Sequence, residues 1–170
     1  VMLDAPEKEY TKSLWSVRSI NKEEEKSDDI ILSLKNINAS YGGGIKVLDD
    51  VSINVSRGKT LAVVGESGSG KSTAARVITG LLPQQSGQIL FNNIELSKTL
   101  RGRSKDQKRQ IQMIYQMADT AMNPRQTVGE IIGRPLEFYL NLKANEKERR
   151  TIELLELIEL DETFIDRLPG

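Results

Sequence analysis

The sequence predicts an α/β fold, because segments with strand character and amphipathic helical segments alternate along its 170 residues. Two segments before residue 60 read as strands, and in the second Val51, Ile53 and Val55 alternate with polar residues. The short apolar run 61–64 then enters a glycine-rich loop, which is followed by helix-compatible residues. The order strand, glycine loop, helix is typical of a phosphate-binding unit.

The remaining elements follow from turn residues and periodicity. Strands are expected over 30–41, 46–55, 61–65, 86–96 and 111–116, and helices over 72–82, 127–140 and 145–160. Gly42 to Gly44 marks the first turn, and Gly80 with Pro83 ends the first helix. Pro135 is expected to bend or divide the second helix, and Asn145 is expected to cap the third. The basic segment 100–110 is expected to be a solvated connection.

Composition excludes several functional classes. Lys plus Arg and Asp plus Glu balance at 24 each, so no overall field attracts nucleic acid or an anionic membrane. The absence of Cys and His excludes disulfides, thiolate metal sites and an imidazole base. No apolar run approaches the roughly 20 residues that span a bilayer, and the first residues lack the apolar region of a signal peptide. We therefore expect membrane contact only through partners.

The stretch GESGSGKS, 65–72, fits G-x-x-x-x-G-K-[ST] at every fixed position. Glycines let the backbone curl so that N–H groups point inward, and the following helix adds its positive end to this anion-binding field. Lys71 supplies a charge for the β- and γ-phosphates, Ser72 a hydroxyl for Mg²⁺, and Thr73 assists nearby. The predicted phosphate-binding residues are Gly65, Glu66, Ser67, Gly68, Ser69, Gly70, Lys71, Ser72 and Thr73. The loop does not say which nucleoside triphosphate it holds.

The loop GESGSGKST resembles that of the ATP-binding-cassette (ABC) transporter ATPases, which implies ATP and Mg²⁺ as ligands. Tyr41 stands where that family has an aromatic residue that stacks on adenine, a contact that needs only a π-face. Gln116, at the end of IQMIYQ, stands where the family has a glutamine that contacts Mg²⁺ and the attacking water. The resemblance thus implies catalytic roles for Lys71 and Gln116, and Mg²⁺ ligation by Ser72 and Gln116.

Two further segments resemble the oligopeptide/dipeptide importer branch of this family. The first contains Asn123-Pro124-Arg125 after Gln116, although Met117-Ala118 departs from the Asp-Pro of many relatives. The second, APEKEYTKSLW, resembles the branch's C-terminal tail, with Lys-Glu in place of His-Pro. This tail and the charged run NKEEEKSDD suggest the end of an upstream cassette and a linker; an unrelated extension is the alternative.

The resemblance implies a phosphate-loop NTPase core with an antiparallel β-subdomain and the start of a helical subdomain, which together form an incomplete domain. The expected units are a tail and linker over 1–29, the nucleotide-binding core over 30–116 and a partial helical subdomain over 117–170. The family's signature sequence, Walker B aspartate, catalytic glutamate and switch histidine are expected after DRLPG, and none is present. We therefore expect ATPase activity in the full-length parent and none in this 170-residue piece. We also expect residues 61–64 to lack partner strands in this piece.

The expected function is that of a peripheral ATPase on the cytoplasmic face of the cell membrane, powering uptake of peptides or similar small solutes. Its expected partners are transmembrane permease subunits, docked near 119–125, and a second cassette; fusion of that cassette in the same chain stays open. No nucleic-acid partner is expected. The alternatives are a soluble cassette ATPase acting on nucleic acid, a truncated non-hydrolysing nucleotide-binding module, and a GTPase or kinase, although no Asn-Lys-x-Asp guanine motif is present.

Overall fold

The computed structural model describes residues 29–42, 44–117 and 121–169, and its first half is built on an antiparallel sheet. The predictions for the tail and linker and for part of the docking segment 119–125 fall outside these residues. The strands are β1 (Ile30–Ser40), β2 (Lys46–Ser56), β3 (Ser86–Phe91) and β4 (Ile94–Glu95), in the order β2-β1-β3-β4. Three of the five predicted strand segments and the antiparallel β-subdomain are thereby confirmed.

The helices are α1 (Lys71–Thr79), α2 (Lys105–Gln110), α3 (Val128–Leu140) and α4 (Ala144–Leu157), and 3₁₀ turns occur at Leu100–Gly102 and Glu162–Phe164. The predicted end of α1 is confirmed, because Gly80 adopts a left-handed conformation (φ 76°) and donates to carbonyls of the last turn. Pro135 lies inside α3 and does not divide it.

The core lies between α1 and one face of the sheet. A bulge in β1 keeps Leu34 and Ile37, three residues apart, both buried, and Asn36 between them has a φ of 51°. From α1, Ala74 and Val77 pack into the same cluster. The buried apolar residues of this cluster are Leu34, Ile37, Ala39, Leu48, Ala74, Val77, Ile89, Phe91 and Leu96. This packing fixes the position of α1, and with it the loop that precedes the helix.

The strand predictions at 61–65 and 111–116 are wrong. Neither segment pairs with a strand in the described part of the chain, and most of their apolar side chains are exposed, with Val64 88% and Ile114 95% exposed, while Ile111 is partly buried against the core. A strand is stable only when a neighbour satisfies its backbone groups, so apolar composition alone does not produce one.

The predicted helix cap at Asn145 is also wrong. The chain turns at Asn141, which ends α3 in a left-handed conformation (φ 56°), and α4 begins at once after Lys143. Asn145 therefore lies in the first turn of α4. The short link after Asn141 fixes the position at which α4 begins, so the N-cap preference of Asn145 does not decide it.

Candidate nucleotide-binding site

The candidate site is the loop 65–70 together with the first turns of α1. Gly70 is the N-cap of α1, with a φ of 95°, and no side chain caps the helix at this end. A Cβ on Gly70 would lie 3.0 Å from Leu48 Cδ2 and 3.2 Å from the Val47 carbonyl oxygen of β2. Glycine at this position thus permits both the left-handed turn and the close approach of the loop to the sheet.

The Lys71 side chain lies back over the loop. Its ammonium donates to the carbonyl oxygens of Gly65 at 2.8 Å and Glu66 at 2.6 Å, and to Ser69 Oγ at 3.3 Å. The loop is closed internally by the Ser69 amide, which donates to the Glu66 carbonyl at 3.2 Å. A positive charge is therefore held over the curve of the loop, next to the positive end of α1.

The two hydroxyl residues after Lys71 lie in different environments. Ser72 is exposed on the first turn of α1, whereas Thr73 is 5% exposed. The Thr73 Oγ1 atom lies 3.2 Å from the phenolic oxygen of Tyr41, and Arg76 Nη1 donates to that oxygen at 3.1 Å. The Thr73 hydroxyl and the Arg76 guanidinium hold the pKa of the Tyr41 phenol below its ordinary value, against a smaller opposing effect of burial.

Gln116 is not brought into this arrangement. It is exposed in the segment after α2, and no hydrogen bond joins it to Ser72 within the described ranges. Gln112, in contrast, donates to the carbonyl oxygens of Lys108 and Arg109 at the end of α2. The roles of Gln116 in catalysis and Mg²⁺ ligation stay predictions, as do those of Lys71 and Ser72.

Sequence reasoning missed two arginines, one on α1 and one that contacts the C-terminal end of this helix. Arg76 contacts Tyr41, and its spacing of three from Thr73 on a helix was the available signal. Arg103 lies in the segment predicted to be solvated, yet it is only 4% exposed. It donates to the carbonyl oxygens of Ser97 and Ile78, and burial lowers the pKa of its guanidinium. This contact caps the C-terminal end of α1, and no local pattern in the sequence marks it.

The donor set fits a magnesium–triphosphate complex better than a metal site made by protein alone. In the described part of the chain, no group of three or more Asp, Glu, His or Cys side chains could hold a metal ion. A hydroxyl at a helix start beside a phosphate loop suits Mg²⁺, which takes most of its remaining ligands from phosphate and water.

No described helix is both long and apolar enough to cross a membrane.

The sheet, the glycine loop and the helix that follows it define a phosphate-loop nucleotide-binding protein. The family model "ABC transporter" matches residues 48–169, and the chain belongs to this family. It has the mixed α/β fold of the ABC ATPases, as a partial nucleotide-binding domain with an antiparallel sheet.

Two curated relatives are nickel import ATP-binding proteins. The chain is 42% identical over 124 residues to NikE of Brucella suis biovar 1 (strain 1330), which covers 73% of this chain and 47% of the relative. It is 40% identical over 123 residues to NikE of Escherichia coli (strain K12), with 72% and 46% covered. The chain therefore spans about half the length of the curated relatives it matches.

Solved structures show the same family likeness. A dimeric ATP-binding cassette in a post-hydrolysis state with ADP and Pi superposes with a TM-score of 0.65 at 27% identity, covering 81% of this chain and 61% of that one. A nucleotide-free ATP-binding cassette from an ABC transporter gives a TM-score of 0.58 at 26% identity, covering 82% and 57%.

Proposed function

We propose that this chain binds Mg-ATP and forms part of the ATP-binding subunit of an importer. The observation that carries this proposal is the loop itself: the Lys71 ammonium lies 2.6–2.8 Å from two loop carbonyl oxygens, at the start of a helix packed on the sheet. A triphosphate offers charge-assisted acceptors to the same ammonium, so it can replace these carbonyl contacts. The loop would hold the phosphates, Ser72 and Gln116 the Mg²⁺, and Tyr41 the adenine.

Binding is tested by calorimetry of Mg-ATP with the full-length protein and its Lys71→Ala variant. Hydrogen bonds to charged groups contribute about 1.5–3 kcal/mol, so the variant should bind ATP roughly ten- to a hundredfold more weakly. Lys35→Ala removes an exposed lysine from β1 and serves as the matched control. Equal ATP affinity in the Lys71 variant and the wild type would contradict the proposal, and stronger competition by GTP than by ATP would favour the GTPase alternative.

Hydrolysis is proposed for the full-length parent, between paired cassettes, and not for these 170 residues alone. The reaction needs a positioned water and a metal held on more than one side, and the phosphate loop supplies only part of this arrangement. We expect the purified 170-residue piece to show no magnesium-dependent turnover of ATP. Turnover that is lost in Lys71→Ala would contradict this expectation.

The importer role is supported by the family and by relatives named for nickel import. We propose that the protein is peripheral at the cytoplasmic face, assembled with transmembrane permease subunits and a second cassette. Co-purification of the full-length protein with membrane proteins supports this role, and co-purification with DNA or RNA contradicts it. Charge reversal at Arg125 tests docking near 119–125, because unchanged assembly with the permease subunits would contradict docking at this segment.

The transported solute is proposed to be small, as in the importers that this chain resembles. The sequence motifs resemble the peptide branch, whereas the curated relatives named above are named for nickel import. Uptake of nickel and of a short peptide, each compared between wild-type cells and cells that lack the protein, separates the two. If cells that lack the protein keep both uptake activities, neither nickel nor a short peptide is the transported solute.

A further inference from the structure

We propose that Thr73 and Arg76 position the Tyr41 ring for the base of the nucleotide. These three residues are called the tyrosine latch. The inference rests on the proposed function, since it assumes that the site binds ATP. It adds a role for Arg76, which acts through Tyr41 and is therefore a positioning residue.

The latch joins two distant parts of the chain through a single oxygen atom. Tyr41 directly follows β1, while Thr73 and Arg76 lie on α1, 32 and 35 residues further on. The Tyr41 hydroxyl lies 3.2 Å from Thr73 Oγ1 and accepts a hydrogen bond from Arg76 Nη1 at 3.1 Å. Thr73 is buried in the packed face of α1, so this end of the latch is fixed to the core.

The latch matters because the local backbone does little to hold the ring. Tyr41 is the first residue after the strand and is followed by Gly42, around which an added Cβ would meet nothing within 4 Å. A side chain next to such an open turn can adopt several orientations, and ligand binding would have to select one of them. The hydroxyl contacts restrict the ring before a ligand arrives.

The held ring still offers a stacking surface. Tyr41 is 39% exposed, and the Arg76 guanidinium carbon lies over the ring at 5.9 Å from its centroid, while Nη1 donates to the hydroxyl. Aromatic stacking on a base requires an accessible π-face, and a ring already held in place loses less conformational freedom on binding. The latch thus acts on the base-binding part of the site, whereas Lys71 and the loop act on the phosphates.

This division of roles gives a test with two ligands. Binding of Mg-ATP and of inorganic tripolyphosphate, which lacks a base, is measured by calorimetry on the full-length protein. Tyr41→Phe removes one oxygen atom and keeps the π-face, so it should weaken ATP binding by about three- to tenfold, the range expected for losing one preorganised side chain. Arg76→Ala should weaken ATP binding by a similar factor, and neither variant should change tripolyphosphate binding.

The double variant and two further substitutions locate the effect. If Arg76 acts through the Tyr41 hydroxyl, Tyr41→Phe with Arg76→Ala should bind ATP no more weakly than either single variant. Arg76→Lys keeps a donor and should restore part of the affinity, and Tyr139→Phe, which removes a phenolic hydroxyl from α3, should bind ATP like the wild type.

Four results would overturn the latch. Equal weakening of ATP and tripolyphosphate by Arg76→Ala would show a general charge effect, and multiplied losses in the double variant would show independent roles. Wild-type ATP affinity in both single variants would overturn the latch while the proposed function stands, provided that Lys71→Ala still weakens binding. If the wild type binds neither ligand, the proposed function itself fails and the latch with it.

Discussion

Replacing Gly70 by alanine tests how the phosphate loop is joined to the sheet. The backbone at Gly70 has φ 95° and ψ 0°, and an L-residue in a left-handed conformation is strained by about 1–2 kcal/mol. The new Cβ would also lie 3.0 Å from Leu48 Cδ2 and 3.2 Å from the Val47 carbonyl oxygen. Displacing a packed side chain or backbone typically adds about 1 kcal/mol or more. We expect Gly70→Ala to lower the free energy of unfolding by about 2–3 kcal/mol.

Two other glycines separate strain from crowding. Gly68 has a φ of 84° with nothing within 4 Å of an added Cβ, so Gly68→Ala should lose only the conformational part, about 1–2 kcal/mol. Gly42 lies in open space without a left-handed φ, and Gly42→Ala should change stability by less than about 0.5 kcal/mol. The order of destabilisation is therefore Gly70, then Gly68, then Gly42.

The assay is equilibrium unfolding in urea, followed by circular dichroism, with thermal melts as a second measurement. For a chain of this size, each 1 kcal/mol corresponds to a Tm shift of about 2–4 °C, so Gly70→Ala should lower the Tm by about 4–12 °C. Equal losses at positions 68 and 70 would refute the argument that contact with β2 makes Gly70 special. A stable Gly70→Ala variant would refute the left-handed geometry as well.

Three further predictions concern the core and the helical region. Val77→Ala removes two buried carbon atoms from the contact of α1 with the sheet and should lower the free energy of unfolding by about 2 kcal/mol. The control is Leu157→Ala, at a side chain 79% exposed, which should change the free energy of unfolding by less than about 0.5 kcal/mol. Urea unfolding compares the two variants. Thr127→Ala removes the capping box of α3 and should reduce stability by about 1 kcal/mol in the same assay. The Lys147 ammonium, 2.8 Å from Glu137 Oε2, lowers the pKa of the Glu137 carboxyl, so Lys147→Ala should raise that pKa toward its usual value in an NMR titration. Because the folded pKa is the lower one, the stabilising effect of this pair is present above the unfolded pKa and is lost as the pH falls through the folded pKa.

The parts of the fold that depend on neighbouring residues were predictable from the sequence. Alternation along β2 and the glycine after α1 act within a few residues, and the structure has both elements where the pattern predicts them. The runs 61–65 and 111–116 have the composition of strands, but pairing depends on other segments, and no strand pairs with them in the described residues. A segment forms a strand only when another strand pairs with it, and the composition of the segment is only one requirement.

The candidate site divides in the same way. The spacing of 65–72 predicts the glycine loop, because the glycines and Lys71 act on adjacent backbone. The contact of Arg76 with Tyr41 joins positions 35 residues apart, and the burial of Arg103 depends on the end of a helix that precedes it by more than 20 residues. The burial of Arg103 has no signature in local spacing, and the spacing of Arg76 from Thr73 does not by itself reveal the contact with Tyr41, so only the folded arrangement shows both contacts.

Within the described residues, the contacts that join the loop to the core lie on its C-terminal side. On that side, Gly70 lies against β2, Val77 is buried in the core, and Arg103 caps the far end of α1. On the other side, the loop is entered through 61–64, which is exposed and has no strand partner within the described residues. Any ligand that binds only the folded loop adds to this support by mass action.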